Sequence, residues 1–267
     1  MTEVLANGVR FHVQRLSPPA PAAVAPTVVF VHGLVVDNLS SFYYTLAGPA
    51  VAAGAHAILY DLRGHGRSER TARRYSTRDG VADLCALLDA LGVTEPVYLV
   101  GNSYGGMIAA RMAVAAPERV AGLVLIEAHC AGTGAAAWFE DMANTLTVAA
   151  LGLEYDRVQD QLRAAGQRKL ARLATHANAL LNDTSMIDDL ATERPLEMAE
   201  LAAIGCPVLG VYGERSELIG AADDLRRHVR DCQVVVLPGL AHTVLREATG
   251  RLRDILTGWL LLTEAAR

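Results

Sequence analysis

The sequence predicts an α/β fold, a mostly parallel sheet flanked by helices, with a helical lid inserted late in the chain. Three observations predict it. Short apolar, β-branched runs alternate with amphipathic helical stretches, as in βα units whose sheet is covered on both faces. One long interval, from Ala131 to Ile204, has no strand-like run and is rich in helix formers. The chain has 267 residues, 52% hydrophobic and 20% charged, enough apolar material for one large core and too little polarity for disorder.

The first element is a hairpin. "TEVLA" and "VRFHVQRL" alternate along their length and are joined by Asn7-Gly8, a pair that accepts the positive φ of a two-residue turn. A Pro/Ala-rich stretch, "SPPAPAAVAP", leads to "TVVFV". "HAILY", "VYLV", "GLVLI", "PVLGVY" and "QVVVL" follow, each about four to six residues, the length of a buried strand. Helices are predicted over "STRDGVADLCALLDALG" and over "YGGMIAARMAVAA", which stops before Pro117. A last helix, "EATGRLRDILTGWLLL", keeps its apolar residues on one face and packs back on the sheet. In the long interval, "AAAWFEDMANTLTVAALGL", "DRVQDQLRAAGQRKLARLATHANALL" and "PLEMAELAAI" read as helices, because a structureless loop of that length is out of keeping with a folded domain. The division that follows is a core of residues 1–130 and 205–267 and a lid of residues 131–204.

Composition excludes several functions. The net charge is −5, and the densest basic stretch, "RTARRYSTR" from Arg70 to Arg78, reads as a solvated loop, so no nucleic acid is expected as a partner. Cys85, Cys130, Cys206 and Cys232 lack metal-ligand spacing and do not form a disulfide framework. The N-terminus has no basic and apolar signal pattern, and no apolar run reaches the roughly 18 residues of a membrane span, so the expected location is cytoplasmic, away from the membrane. Oligomeric state is not legible, and a homo-oligomer remains open.

Chemistry enters at "VYLVGNSYGGMIAARMA". Gly101-Asn102-Ser103-Tyr104-Gly105 is a G-x-S-x-G directly after a predicted strand and before a predicted helix, the turn that lifts a serine Oγ above a sheet. A serine hydroxyl needs an adjacent base to attack a carbonyl. Of the eight histidines only His242, in "QVVVLPGLAHTVLRE", follows the last strand on a loop.

Together "GNSYGG", "VFVHGL" (Val29–Leu34), "YDLRGHGRS" (Tyr60–Ser68) and "LPGLAH" (Leu237–His242) resemble the α/β-hydrolase superfamily, in its usual motif order and over nearly the whole chain outside the lid. The resemblance implies an oxyanion hole formed by the backbone N–H groups of Leu34 and Tyr104, and structural roles for His32, Asp61, Arg63 and His65. It also implies a carboxylate after "PVLGVY", in a turn of the form G-E-x-D, but here that turn reads Gly213-Glu214-Arg215-Ser216. Two carboxylates are candidates. Glu217 lies one residue further; Glu127 ends the strand after the nucleophile helix, where the reactive groups of open α/β sheets gather. Haloalkane dehalogenases, zearalenone-type lactone hydrolases and some amide hydrolases place the acid after that earlier strand, at a spacing similar to the 24 residues between Ser103 and Glu127, so the resemblance favours Glu127 while Glu217 stays open.

A serine at the elbow speaks against dehalogenase and epoxide-hydrolase chemistry, which needs a carboxylate there. The expected activity is hydrolysis of a carboxylic ester, lactone or thioester through an acyl-enzyme on Ser103, with a small-molecule acyl substrate and no metal or organic cofactor. Trp138 in "WFEDM" and Phe42, Tyr43 and Tyr44 near the mouth are compatible with a fairly large apolar substrate, while core packing is the expected role of any single one of them, so none is named as substrate-binding. An acyltransferase or macrocyclising thioesterase, a C–C bond hydrolase and a hormone-receptor-like binder are the alternatives.

Overall fold

Asn7 and Gly8 take φ of 47° and 74°, so β1 (Thr2–Ala6) and β2 (Val9–Leu16) fold back on one another with Ala6 opposite Val9. The computed structural model describes residues 2–19, 25–155 and 158–266. Residues 20–24 of the Pro/Ala-rich stretch and 156–157, where one lid helix was expected to begin, lie outside them. The next strands are β3 (Thr27–Val31), β4 (His56–Tyr60), β5 (Val97–Asn102), β6 (Val120–Ile126), β7 (Val208–Gly213) and β8 (Cys232–Leu237). They lie parallel, while β2 joins β4 antiparallel, giving the sheet order β1-β2-β4-β3-β5-β6-β7-β8.

The period of two along each strand sorts the apolar side chains into two cores. Val29, Val31, Leu99, Leu123 and Leu125 face one side, with α3 (Thr77–Ala90) and α4 (Tyr104–Ala115) packed over them. Their strand neighbours Val28, Phe30, Val100, Val124 and Ile126 face the other. That second side is covered by α1 (Ser40–Phe42), α2 (Gly48–Ala52) and the terminal helix described below. The start of α3 is set by a reciprocal cap, in which Ser76 Oγ accepts the Asp79 N–H and the Asp79 carboxylate accepts the Ser76 N–H.

Between β6 and β7 the chain runs through α5 (Gly132–Tyr155), α6 (Val158–Ala164), α7 (Arg168–Asn182), α8 (Met186–Ala191) and α9 (Met198–Ala202). Trp138, Phe139, Leu146, Leu180 and Met186 of this helical insertion join the α3/α4 core. The Arg70–Arg78 stretch is more than the solvated loop it was expected to be. Its Ala72 carbonyl accepts the Ser185 N–H, its Tyr75 N–H donates to Asp189 and its Thr77 N–H donates to Glu193, which ties the insertion to the core. The chain ends through α10 (Gly220–His228), between β7 and β8, then α11 (Val244–Glu247) and α12 (Thr249–Ala265), whose Leu252, Leu256 and Trp259 complete the second core. Among the described residues no helix is long and apolar enough to cross a membrane.

Candidate active site

Ser103 stands where β5 turns into α4, with φ 51° and ψ −120°. A non-glycine residue rarely takes such angles, at a cost of about 1–3 kcal/mol, and the surroundings must enforce them. Here they do. The Ser103 N–H donates to the Ile126 carbonyl on the neighbouring strand (2.8 Å), and the Ser103 carbonyl accepts the Gly106 N–H (2.9 Å). The turn is tight enough to require its glycines. A Cβ on Gly101 would lie 2.5 Å from the Gly105 carbonyl oxygen, and one on Gly105 would collide with the Val31 and His32 carbonyl oxygens.

The strand order reverses around β3, with β4 on one side and β5 on the other, and ligands of open α/β sheets bind in the crevice at such a point. His32, Gly33 and Leu34 leave β3 there, facing Ser103 and Tyr104 at the end of β5. Among the described residues the Leu34 and Tyr104 N–H groups have no acceptor. For Tyr104 this follows from its place at the first turn of α4, whose N–H groups have no intrahelical partner.

Two buried histidines hold the Leu34 loop. His32 Nδ1 donates to the Gly33 carbonyl and its Nε2 accepts the Leu62 N–H; His65 Nδ1 donates to the Arg63 carbonyl and its Nε2 accepts the Val35 N–H (3.0 Å). Each ring thus accepts a backbone N–H on one side, and burial pushes His65 down to about 3. Val35 itself sits at φ 60°, unusual for a β-branched residue, so this loop too is held under strain. Asp61 accepts the Leu39 and Arg67 N–H groups, and Arg63 grips Asp83 through two nitrogens. These four residues form the structural network that the sequence suggested.

Glu127 follows β6, fully buried, at φ 50°. Its N–H donates to the Val211 carbonyl on β7. Its carboxylate is held from two sides, Oε1 by the Gly213 N–H and Oε2 by the Ser216 hydroxyl, each at 2.5 Å. The Leu218 N–H donates to Ser216 Oγ (3.1 Å), which directs the serine hydrogen toward Glu127. Ser216, a gap in the motif when read as sequence, is thus a clamp on the carboxylate.

His242 lies on the loop after β8, and this loop is docked on the β7 turn. The Arg215 N–H donates to the Leu240 carbonyl (2.8 Å), and Gly213 approaches so closely that a Cβ there would lie 2.5 Å from the same oxygen. The docking brings His242 Nδ1 to 3.4 Å from Glu127 Oε2 and 3.5 Å from Glu217 Oε1. Neither contact closes to hydrogen-bond geometry, and Nδ1 is buried. The adjoining Glu127 carboxylate, aided by Glu217, raises the imidazole above its ordinary value against the opposing effect of burial. The third nearby carboxylate, Glu214, is occupied by the Gly239 N–H. Among the described residues no hydrogen bond joins the Ser103 hydroxyl to His242; such bonds often tighten only once substrate is bound.

Ser103, Glu127, Ser216 and His242 therefore leave the same ends of four successive parallel strands, β5 to β8. A cleft of about 510 Å³ beside the Leu34 loop is lined by Val35, Asp37, Tyr43, Tyr44, Lys169 and Arg172, among others. A second, about 440 Å³, shares Val35 and Val36 and is otherwise walled by insertion side chains such as Leu146, Leu153 and Leu181. Of the aromatic residues expected at the mouth, Tyr44 is exposed, but Phe42 is fully buried against Phe30 with ring centroids 5.1 Å apart. Trp138 is buried beside Phe139. Phe42 turns inward on the helical turn that begins at Ser40, a phase that the stretch Ser40 to Tyr44 does not declare by its residue types.

The family model described as alpha/beta hydrolase fold matches residues 26–203. Epoxide hydrolase B of Mycobacterium tuberculosis is 35% identical over 131 residues, 48% of this chain and 35% of that protein. The lipase LipV of the same organism is 39% identical over 118 residues, 43% of this chain and 41% of LipV. The chain thus matches about two fifths or less of the length of these relatives. Among solved structures, Est816, described as an N-acyl homoserine lactone degrading enzyme, superposes with a TM-score of 0.69 at 25% identity, covering 96% of this chain and 99% of that one.

Proposed function

The chain belongs to the alpha/beta hydrolase fold family, and we propose that within it this protein is a serine hydrolase that cleaves a carboxylic ester, lactone or thioester. The observation that carries the proposal is the elbow: Ser103 held at φ 51° at the switch point of the sheet, with His242 and a buried carboxylate on the strands beside it. In the proposed mechanism Ser103 Oγ attacks the substrate carbonyl carbon while His242 takes the hydroxyl proton. With Nδ1 turned to the carboxylates, Nε2 is the nitrogen left for this transfer. The Leu34 and Tyr104 N–H groups, which have no acceptor among the described residues, hold the tetrahedral oxyanion. Donors of this kind are each worth about 10²- to 10³-fold in rate. Collapse expels the alcohol or thiol, which takes the proton from His242; water then repeats the sequence on the acyl-enzyme and releases the acid.

Glu127 is the carboxylate assigned to His242. It is buried and fixed by two donors, whereas the Glu217 side chain is 62% exposed. A fixed anion orients an imidazole better than a mobile one, and the field between buried partners is screened less. Opening an epoxide through an alkyl-enzyme ester needs a carboxylate at the elbow, so the serine here favours acyl chemistry over the activity that names one relative. The lipase and the lactone-degrading structural neighbour support that choice. A panel of p-nitrophenyl esters, lactones and acyl thioesters, assayed with the wild type and Ser103→Ala, tests the proposal; turnover that survives in Ser103→Ala would remove it.

A further inference from the structure

His242 Nδ1 faces two carboxylates at nearly equal distance, and their environments are opposite. Glu127 Oε2, at 3.4 Å, belongs to a side chain with no solvent exposure, held by the Gly213 N–H and the Ser216 hydroxyl. Glu217 Oε1, at 3.5 Å, belongs to a side chain that is 62% exposed and has no other hydrogen bond or ion pair among the described residues. Glu217 lies two residues before Ile219, on the turn between β7 and α10 whose Ser216 clamps the first carboxylate, so the two acids approach one nitrogen from the same turn. No cation stands close enough to Glu217 to neutralise it: among the described residues its single ionic contact is the imidazole.

We infer that Glu217 is a second positioning carboxylate for His242, which strengthens the base from the solvent side and takes over part of the role of Glu127 when that residue is neutralised. The inference rests on the assignment of His242 as the base. The physical reason lies in the charge that forms during the reaction. When Ser103 gives up its proton the imidazolium is flanked by two anions rather than one, and each favours the charged ring. Glu127 acts through a buried path and is insensitive to salt. Glu217 acts at the surface, where ions weaken it over a Debye length of about 10 Å at 0.1 M. Among the described residues the charged groups bearing on His242 are these two glutamates. The salt sensitivity of the base therefore reports Glu217.

The test uses the full-length protein with Glu217→Gln, Glu127→Gln and the double variant. NMR titration of the His242 imidazole at low and high salt is read beside kcat/KM on p-nitrophenyl acetate. A unit charge at this distance in a largely aqueous surrounding shifts a titration by roughly half to one pH unit. Glu217→Gln should lower the His242 midpoint by that amount at low salt and by much less at 1 M. Glu127→Gln should retain roughly tenfold more activity than the double variant, at a cost of one factor of ten per 1.4 kcal/mol. An unchanged midpoint in Glu217→Gln at low salt overturns the inference, as does a double variant no worse than Glu127→Gln. Should Glu127→Gln fail to fold, the titration of Glu217→Gln alone still decides. Activity that persists in Ser103→Ala would instead count against the hydrolase mechanism, and the titration would stand apart from it.

Discussion

The Ser216 hydroxyl donates to Glu127 Oε2 at 2.5 Å across the ends of β7 and β6, and the same oxygen lies 3.4 Å from His242 Nδ1. The residue that breaks the expected G-E-x-D turn is the one that steadies the carboxylate on the neighbouring strand. Ser216→Ala removes a hydrogen bond to a charged group inside the protein, an interaction worth about 1.5–3 kcal/mol. Urea denaturation should show a loss of that order. Steady-state kinetics should show kcat lower by roughly tenfold with KM little changed, because the loosened group acts through His242 rather than on the substrate. Ser216→Thr, which keeps the hydroxyl, should recover much of the rate.

Glu127→Gln keeps the shape of the side chain and removes its charge from a buried position. If Glu127 orients His242, kcat should fall by roughly 10³- to 10⁴-fold with the circular dichroism spectrum unchanged. Glu217→Gln should cost less than about tenfold, as an exposed and screened partner does. The reverse ranking in kcat would transfer the orienting role to Glu217.

The pH profile has a definite sign. His242 is raised above its ordinary value of 6.5 by Glu127 and Glu217, and it accepts a proton only while neutral. The acidic limb of kcat/KM should therefore lie above 6.5, and activity should rise as pH increases through that limb. Stability runs the other way. A folded-state value above the unfolded one adds stability that is fully present below the unfolded value and lost as pH rises through the folded one. Thermal melts across about pH 5 to 9, compared between the wild type and His242→Gln, should show a His242 contribution that is largest below pH 6.5 and declines as pH rises.

Gly105 carries a different expectation. A Cβ there would collide with the Val31 and His32 carbonyl oxygens, which are backbone and do not swing aside. Gly105→Ala should lose about 3 kcal/mol of stability in denaturant titration, an overpacking cost at the upper end of the usual range, and the loss should be accompanied by reduced activity because the elbow and the Leu34 loop share this contact.

The hairpin, the strands of the mostly parallel sheet and the serine elbow were legible in the sequence because each rests on local rules: Asn-Gly at the turn, apolar runs of strand length, glycines flanking Ser103 between a strand and a helix; the order of the strands, set by the crossovers, was not. His242 was legible by position alone, as the histidine after the last strand. The choice between Glu127 and Glu217 was not, since both reach one nitrogen and only the path of the β7 turn separates a clamped carboxylate from an exposed one. Nor did the letters show that Ser216 serves Glu127 across 89 residues of sequence, or that Val35 and Glu127 hold positive φ, since neither residue type favours it. Phe42 takes the core-packing role expected of any single aromatic in its stretch, but that Phe42 rather than Tyr44 turns inward is set by packing against Phe30 on a strand that the local pattern does not see.

In the proposed mechanism Ser103 is the nucleophile and His242 activates it. Intact-protein and peptide mass spectrometry after reaction with a fluorophosphonate measures this directly. The structure predicts one adduct, on the peptide containing Ser103, absent in Ser103→Ala and formed at least a hundredfold more slowly in His242→Ala, consistent with the 10²- to 10⁴-fold contribution typical of a general base. An adduct on another residue, or equally fast labelling of Ser103 without His242, would contradict it.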